Sequence, residues 1–76
     1  MNLSPEAMRA ARAILKWSMR DLADRSGVSL PTINAAENGR GMREATRDAI
    51  VAAFAAHGVE ILNGDAPGAR MRSGAR

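Results

Sequence analysis

The chain has 76 residues, which leaves room for one domain with a small core. Its formal net charge of +3 is typical of a phosphate-binding domain and of an ordinary soluble domain almost equally. Hydrophobic residues make up 46% of the sequence but aromatic residues only 3%, a composition that favours closely packed helices and argues against a large β-sandwich. The absence of cysteine excludes disulfides and thiolate metal sites, and the absence of a long apolar run leads us to expect a cytoplasmic protein with no membrane association.

A first amphipathic helix is predicted for residues 5–16. Ser4 is a suitable N-cap, Pro5 fits the first helical position, and the carboxylate of Glu6 suits the positive end of the helix dipole. The predicted inward face repeats every three or four residues and consists of Ala7, Met8, Ala11, Ile14 and Leu15. We expect Trp17, just after this helix, to pack in the core.

A second, short helix is predicted to begin after Ser18, because Asp21 lies three residues further on and completes a carboxylate variant of the capping box. Leu22 points inward, and Gly27 ends the helix in the left-handed conformation that glycine adopts at little cost. Val28 follows as the apolar residue that packs beneath such an ending.

A third helix follows almost at once. Either Ser29 or Leu30 is its N-cap, since Pro31 belongs in a first turn, and Gly39 closes the helix. Its predicted inward residues are Ile33 and Ala36. Two helices joined by a short glycine-containing turn form a helix-turn-helix, which here spans residues 18–39.

A fourth helix is predicted from residue 42 or 43 to residue 57, with Gly58 as its stop. Arg43 and Arg47 are expected to face outward near its start, where they are slightly unfavourable for the helix dipole. Its predicted buried residues are Ala49, Ile50, Ala53 and Phe54. We expect His57, in the last turn, to be neither catalytic nor a metal ligand.

The last part of the chain changes character. Residues 59–62 and 69–72 are predicted to be short strands on either side of a turn-rich segment, residues 63–68. A two-stranded hairpin is barely stable alone, so it needs either the helices beneath it or a second copy alongside. We therefore divide the chain into a helix-turn-helix domain, residues 1–58, and a short C-terminal hairpin or tail, residues 59–76, which is a candidate dimerisation element.

The segment SMRDLADRSGVSLPTINAAENG resembles the helix-turn-helix proteins of the Cro and phage-repressor (XRE) family, and the likeness covers residues 4–58. The residues that carry it are Leu22, Ala23, Gly27, Val28, Ser29, Ile33, Glu37, Asn38 and Gly39. The resemblance implies an all-α, four-helix domain that binds double-stranded DNA as a transcriptional regulator, which we expect to be a repressor.

The resemblance also implies which residues contact DNA. In the family the third helix lies in the major groove and its first residues read base edges, which here are Leu30, Pro31, Thr32, Asn34 and Ala35. The second helix begins against a phosphate, usually with a glutamine where this chain has Met19. The full predicted DNA-binding set is Ser18, Met19, Arg20, Ser29, Leu30, Pro31, Thr32, Asn34, Ala35, Asn38, Arg40 and Arg43.

The predicted reading face is poor in hydrogen-bonding groups. Of the reading positions only Thr32 and Asn34 carry side chains that can donate and accept, and direct base readout depends on such groups. Asn34 is the expected base contact. We therefore expect weak or shape-dependent recognition, with most of the affinity supplied by Arg20, Arg40 and Arg43 on phosphates and with Arg47 as a further candidate.

Several other residues receive structural interpretations. Glu37 is electrostatically out of place on a DNA-facing helix and is expected to pair with Arg12 or Arg20.

The sequence argues against an enzyme, because it has a single histidine, no cysteine or tyrosine, and no glycine-rich phosphate loop. We expect no cofactor or metal. A solubilising edge is favoured over a second phosphate contact for the C-terminal arginines Arg70, Arg72 and Arg76.

The sequence leaves the partner and the assembly open. A homodimer would set two third helices about 34 Å apart along DNA, and we expect it to form through the fourth helix and residues 59–62. Alternatively, the fold could be a protein-docking module, antitoxin-like or accessory, that uses Leu30, Pro31 and Ala35 and binds DNA weakly or not at all. A third alternative is a prophage remnant that folds but no longer discriminates among sequences.

Overall fold

The computed structural model describes residues 3–62 and 68–72. The elements are α1 (Pro5–Leu15), α2 (Met19–Ser26), α3 (Leu30–Glu37), α4 (Glu44–Ala56), β1 (Val59–Leu62) and β2 (Gly68–Met71). The predicted four-helix fold with a short C-terminal hairpin is therefore confirmed. The predicted turn lies outside the described residues except for its last position, and so does Arg76. None of the helices in the described ranges is long and apolar enough to cross a membrane.

The first helix begins as predicted and ends one residue earlier than predicted. Ser4 Oγ accepts a hydrogen bond from the backbone N–H three residues later at 3.0 Å, and Pro5 occupies the first turn. At the other end Lys16 has a left-handed backbone with a φ of 59°. The Trp17 N–H then returns to the Arg12 carbonyl oxygen at 2.8 Å. This reversal ends α1 within one residue and brings Trp17 against the core.

The inward face of α1 is narrower than predicted. Ala7, Met8 and Ala11 are fully buried and Leu15 is half-buried, whereas Ile14 is 36% exposed. The prediction that Ile14 faces inward is therefore wrong. Successive helical residues are about 100° apart, which places Ile14 on the edge of the apolar stripe and near the end of α1, where the neighbouring elements do not cover it.

The core joins all four helices and β1. Its buried hydrophobic residues are Leu3, Ala7, Met8, Ala11, Leu22, Ile33, Ala36, Ile50, Ala53, Phe54 and Val59. Trp17 stacks on Phe54 with ring centroids 5.8 Å apart. It also contacts His57 edge-on at 4.9 Å, and the Arg25 guanidinium lies 5.6 Å from its ring centroid. Trp17 thus packs against the core as predicted, at its half-exposed margin.

The C-terminal strands form an antiparallel hairpin, with Val59 opposite Met71 and Ile61 opposite Ala69. The second strand begins one residue earlier than predicted. Val59 is buried, and the four side chains share the face toward the helices because alternate strand residues point to the same side. The hairpin packs on α1 and α4. These helices supply the support that an isolated hairpin lacks.

The fourth helix differs from its prediction at its start. It begins at Glu44, after an Arg43 N-cap that makes no side-chain capping hydrogen bond. Its fully buried residues are Ile50, Ala53 and Phe54, and the predicted Ala49 is half-buried. The prediction that Arg47 faces outward is wrong, because its side chain is only 23% exposed. The Arg47 guanidinium lies 3.3 Å from the Glu44 carboxylate and 3.8 Å from that of Asp48, so acidic neighbours hold it along the surface.

A buried ion pair connects α1 to α3. Both carboxylate oxygens of the buried Glu37 accept hydrogen bonds from Arg12, at 2.6 Å from Nε and 2.7 Å from Nη2. Arg12 Nη1 also donates to the Trp17 carbonyl oxygen at 3.0 Å, and Arg9 donates to the Glu37 carbonyl oxygen at 2.8 Å. Hydrogen bonding to Glu37 raises the pKa of Arg12 above its ordinary value. Of the two partners predicted for Glu37, the structure selects Arg12.

Met8→Ala and Ile14→Ala are a matched pair of truncations on α1. Because Met8 is fully buried, we expect its truncation to lower the free energy of unfolding by about 2–5 kcal/mol. Ile14→Ala should lower it by roughly 1.5 kcal/mol or less, since part of that side chain is already in water. Urea unfolding of both variants measures the two losses. Equal losses would contradict the position of Ile14 at the edge of the stripe.

Candidate nucleic-acid interface

The N-terminus of α2 is held by a reciprocal capping box. Ser18 Oγ accepts from the Asp21 N–H at 3.0 Å, and Asp21 Oδ2 accepts from the Ser18 N–H at 2.9 Å, as predicted. The hydrogen bond from the Ser18 backbone lowers the pKa of Asp21 below its ordinary value. Next to this box Arg20 is exposed, whereas Met19 is half-buried and packs against the core. Of the two side chains, only that of Arg20 is fully available to a partner.

The turn between α2 and α3 is built from local hydrogen bonds. Gly27 has a φ of 75°, the left-handed conformation that was predicted for it and that a side chain would strain. Ser26 Oγ donates to the Leu22 carbonyl oxygen at 2.7 Å and accepts from the Val28 N–H at 3.2 Å. Ser29 is the N-cap of α3, which decides between the two residues considered for this role. The turn therefore fixes where α3 begins relative to α2.

The third helix has a buried side and an outward side. Its buried residues are Ile33, Ala36 and Glu37. On the outward side Pro31, Asn34 and the C-cap residue Asn38 are exposed. Half-buried residues at the margins are Leu30, Thr32 and Ala35. The predicted reading positions thus lie on the outward side of α3 and along its edges.

Polar contacts one helical turn apart organise the outward side. Ser29 Oγ donates a hydrogen bond to Thr32 Oγ1 at 2.8 Å. Asn38 Nδ2 donates to the backbone oxygen of Asn34 at 2.8 Å and to its Oδ1 at 3.2 Å. The two reading side chains that can form hydrogen bonds, Thr32 and Asn34, are therefore each oriented by a neighbour on the same helix.

The arginines divide into a paired and an unpaired group. The paired ones are Arg12, Arg47 and Arg70, the last with Glu60 on the outer face of the hairpin. Arg20, Arg40 and Arg43 are exposed and form no salt bridge with any residue in the ranges 3–62 and 68–72. These three were predicted to contact phosphate, whereas Arg47, the further candidate for that role, is paired. Arg9, Arg25 and Arg72 are also exposed without a salt bridge in the same ranges, but Arg9 donates to the Glu37 carbonyl oxygen and Arg25 lies against the Trp17 ring. The pairing of Arg70 favours a solubilising role for that residue.

An open cavity of about 380 Å³ lies beside the loop between α3 and α4. Its lining includes Arg40 from this loop, Arg47 from α4, and Ser4 and Pro5 at the N-terminus of α1. Two guanidinium groups and the positive end of a helix dipole thus share one side of the molecule. Because Arg47 pairs with Glu44 and Asp48, Arg40 is the guanidinium of this lining that has no salt bridge within the described ranges.

The predicted DNA-binding residues fall on the start of α2, on α3, and on the loop after it. The exposed ones are Ser18, Arg20, Ser29, Pro31, Asn34, Asn38, Arg40 and Arg43. The half-buried ones are Met19, Leu30, Thr32 and Ala35. Sequence reasoning missed the contact between Asn38 and Asn34, for which the four-residue spacing of two asparagines on one helix was the available signal.

A family model described as helix-turn-helix matches residues 8–62, which is more than half of the chain. The match begins within α1 and ends with β1, so it includes α2, the turn, α3 and all of α4. No curated protein matches the sequence.

Asp21→Ala tests the capping box through its pH dependence. The folded-state pKa of Asp21 lies below the ordinary value of 3.8, so the carboxylate stabilises the fold above that value and the stabilisation is lost as the pH falls through the folded-state pKa. We expect the parent protein to melt at a higher temperature than Asp21→Ala near neutral pH, and the difference to shrink below about pH 4. Thermal unfolding followed by circular dichroism measures it.

Asp24→Ala removes a carboxylate of the same helix that lies outside the capping box, and it is the control. Its effect at neutral pH should be smaller than that of Asp21→Ala. If the difference in melting temperature between the parent protein and Asp21→Ala is equally large at acidic and neutral pH, the role given to the ionised carboxylate is contradicted.

Proposed function

The chain belongs to the helix-turn-helix family of the Cro and phage-repressor type and is a DNA-binding regulator, and on this premise we propose that it is a cytoplasmic transcriptional repressor. It binds double-stranded DNA as a homodimer, with α3 of each copy in the major groove. The outward side of α3 carries this proposal, because it stays exposed while the opposite side is fixed in the core.

The dimensions of α3 suit a major groove. The helix has eight residues, which gives a length of about 12 Å, and the groove is about 12 Å wide. A helix this short reaches only a few base pairs. Its first turn offers Pro31 and Thr32, its second turn offers Asn34, and apolar atoms of Leu30 and Ala35 can contact thymine methyl groups.

Contacts between arginine side chains and DNA phosphates supply most of the affinity. Arg20 at the start of α2 and Arg40 and Arg43 after α3 are exposed and free of acidic partners in the described part of the chain. Guanidinium groups bind phosphate oxygens in bidentate geometry. Met19 adds little, since it packs against the core and stands where the family usually has a glutamine.

A homodimer places a second α3 on the DNA. The longest dimension of the molecule is 32 Å, so two copies side by side suit a separation of about 34 Å between reading helices. The surface available for dimerisation is smaller than the sequence predicted, because Ile50, Phe54 and Val59 are buried in the protein's own core. Ile61 packs against the core, so the half-buried Leu62 remains as the apolar residue of β1 that a second copy can reach.

The salt dependence of binding tests the proposal. We expect the protein to bind short mixed-sequence duplexes with an affinity that falls steeply as salt rises. Replacing Arg20, Arg40 or Arg43 singly by Gln should reduce the slope of log affinity against log salt by about 1.8, because each of the two copies on the duplex loses one phosphate contact worth about 0.9. Fluorescence anisotropy of a labelled duplex measures the slope.

Arg70→Gln is the matched control, because Arg70 is an exposed arginine that already pairs with Glu60, and its slope should equal that of the parent protein. Sedimentation should give two chains per duplex. A promoter that carries a site enriched by the protein from a random duplex pool should lose expression when the protein is present. If the chain does not bind DNA, or binds a protein partner with an affinity that does not fall as salt rises, the protein-docking function is favoured instead.

A further inference from the structure

We infer that Asn34 reads DNA as a hydrogen-bond donor only, and that Asn38 imposes this by holding the Asn34 side-chain oxygen. Asn34 therefore selects the keto bases, guanine and thymine, and does not form the two-point contact with adenine that an asparagine can make. This inference rests on the proposed function, because it assigns a base chemistry to the same reading helix.

The orientation of both amide groups follows from one backbone atom. The carbonyl oxygen of Asn34 can only accept hydrogen bonds, and it lies 2.8 Å from the terminal amide of Asn38. The atom of Asn38 that faces it must therefore be Nδ2. The Asn38 backbone N–H approaches the same oxygen at 3.1 Å, which keeps Asn38 in place at the end of α3.

The second contact of Asn38 then orients Asn34. Asn38 Nδ2 is a donor without acceptor capacity, and it lies 3.2 Å from the end of the Asn34 side chain. The Asn34 atom at this position must accept, so it is Oδ1. The oxygen is drawn toward the C-terminal end of α3, away from the first turns with which such helices read bases. The Asn34 NH₂ group is the part that remains for a base.

A donor on its own distinguishes bases by their major-groove edges. Guanine presents the acceptors O6 and N7, and thymine presents O4 next to its methyl group, whereas cytosine presents an N4 donor that repels another donor. Adenine presents a single acceptor, N7, beside its N6 donor, and its two-point contact requires one side chain to accept from N6 while it donates to N7. The Asn38 contact uses one lone pair of that acceptor and turns the oxygen toward the C-terminal end of α3, so Asn38 is a positioning residue and Asn34 a specificity-determining one.

The test uses single-atom changes in the DNA. A binding site is first enriched from a random duplex pool with the parent protein, and separately with Asn38→Ala and with Asn34→Ala. Each adenine of the enriched sites is then replaced by purine, which lacks only the N6 amino group. Guanine is replaced by 2-aminopurine, which lacks O6, and thymine by 4-thiothymine, which weakens the O4 acceptor. Affinity is measured for every protein on every duplex.

The parent protein should lose affinity on at least one 2-aminopurine or 4-thiothymine duplex, and this loss should be absent in Asn34→Ala. Replacing an adenine by purine should not weaken binding by the parent protein more than it weakens binding by Asn34→Ala. With Asn38→Ala, the enriched base at the Asn34 position should change to adenine. The purine replacement of that adenine should then weaken binding roughly 5- to 150-fold, the discrimination of one bidentate pair.

Asn38→Asp is the second variant, and it keeps a polar C-cap on α3. The introduced carboxylate attracts the Asn34 NH₂ group and turns Oδ1 outward, so the preference should move to the amino bases, adenine and cytosine. Melting curves of all variants confirm that they are folded at the temperature of the binding assay. A shift in base preference at one position is not expected from a merely weakened helix.

Two results would overturn the inference and leave the proposed function standing. One is a purine replacement that weakens the parent protein but not Asn34→Ala, because it would show Oδ1 accepting from an adenine. The other is an Asn34→Ala protein that enriches the same site as the parent. A parent protein that binds no duplex at any salt concentration would overturn the proposed function and this inference together.

Discussion

The ion pair between Arg12 and Glu37 is the contact on which the position of the third helix depends. It joins the last turn of α1 to the last residue of α3 by two hydrogen bonds, and Arg9 adds a third contact from α1 to the Glu37 backbone. Buried ion pairs often add little net stability, because desolvation of the two charges offsets their attraction. Their geometric requirements are strict, however, and a helix held by a bidentate guanidinium has one allowed orientation.

That orientation determines what α3 offers to DNA. With Ile33, Ala36 and Glu37 facing the protein, the opposite side presents Asn34 and, next to it, Asn38. The local contacts then fix which atoms of these side chains are available, so little reordering is required on binding. Four acidic residues, Glu37, Glu44, Asp48 and Glu60, pair with Arg12, Arg47 and Arg70, and the proposed phosphate contacts Arg20, Arg40 and Arg43 are exposed outside these pairs. In the proposed complex, phosphate contacts and base contacts are thus made by different residues, as is general for DNA-binding domains.

Features that depend on residues close in sequence could be predicted, and those that depend on the tertiary arrangement could not. The caps at Ser4 and Ser18 and the left-handed Gly27 follow from contacts within a few residues, and the sequence pattern located them correctly. The exposure of Ile14 depends instead on which elements cover α1, and the burial of Arg47 depends on the residues from the start of α1 and the end of α3 that line the cavity with it. The sequence also left two partners for Glu37, because only the packing of α1 against α3 decides between them. The role of Asn38 required atomic distances, since its residue type fits a direct DNA contact equally well.

A double-mutant cycle between Arg12 and Glu37 tests the central claim most directly. Free energies of unfolding are measured in urea for Arg12→Met, Glu37→Met and the double variant. We expect each single substitution to cost about 3–5 kcal/mol, because it leaves one buried charge without its partner. The double variant should cost less than the sum of the two by about 2 kcal/mol or more, and it should lose base selectivity while it keeps salt-dependent binding. Losses that add to within about 0.5 kcal/mol, or a double variant with unchanged base selectivity, would contradict the claim that this pair positions the reading helix.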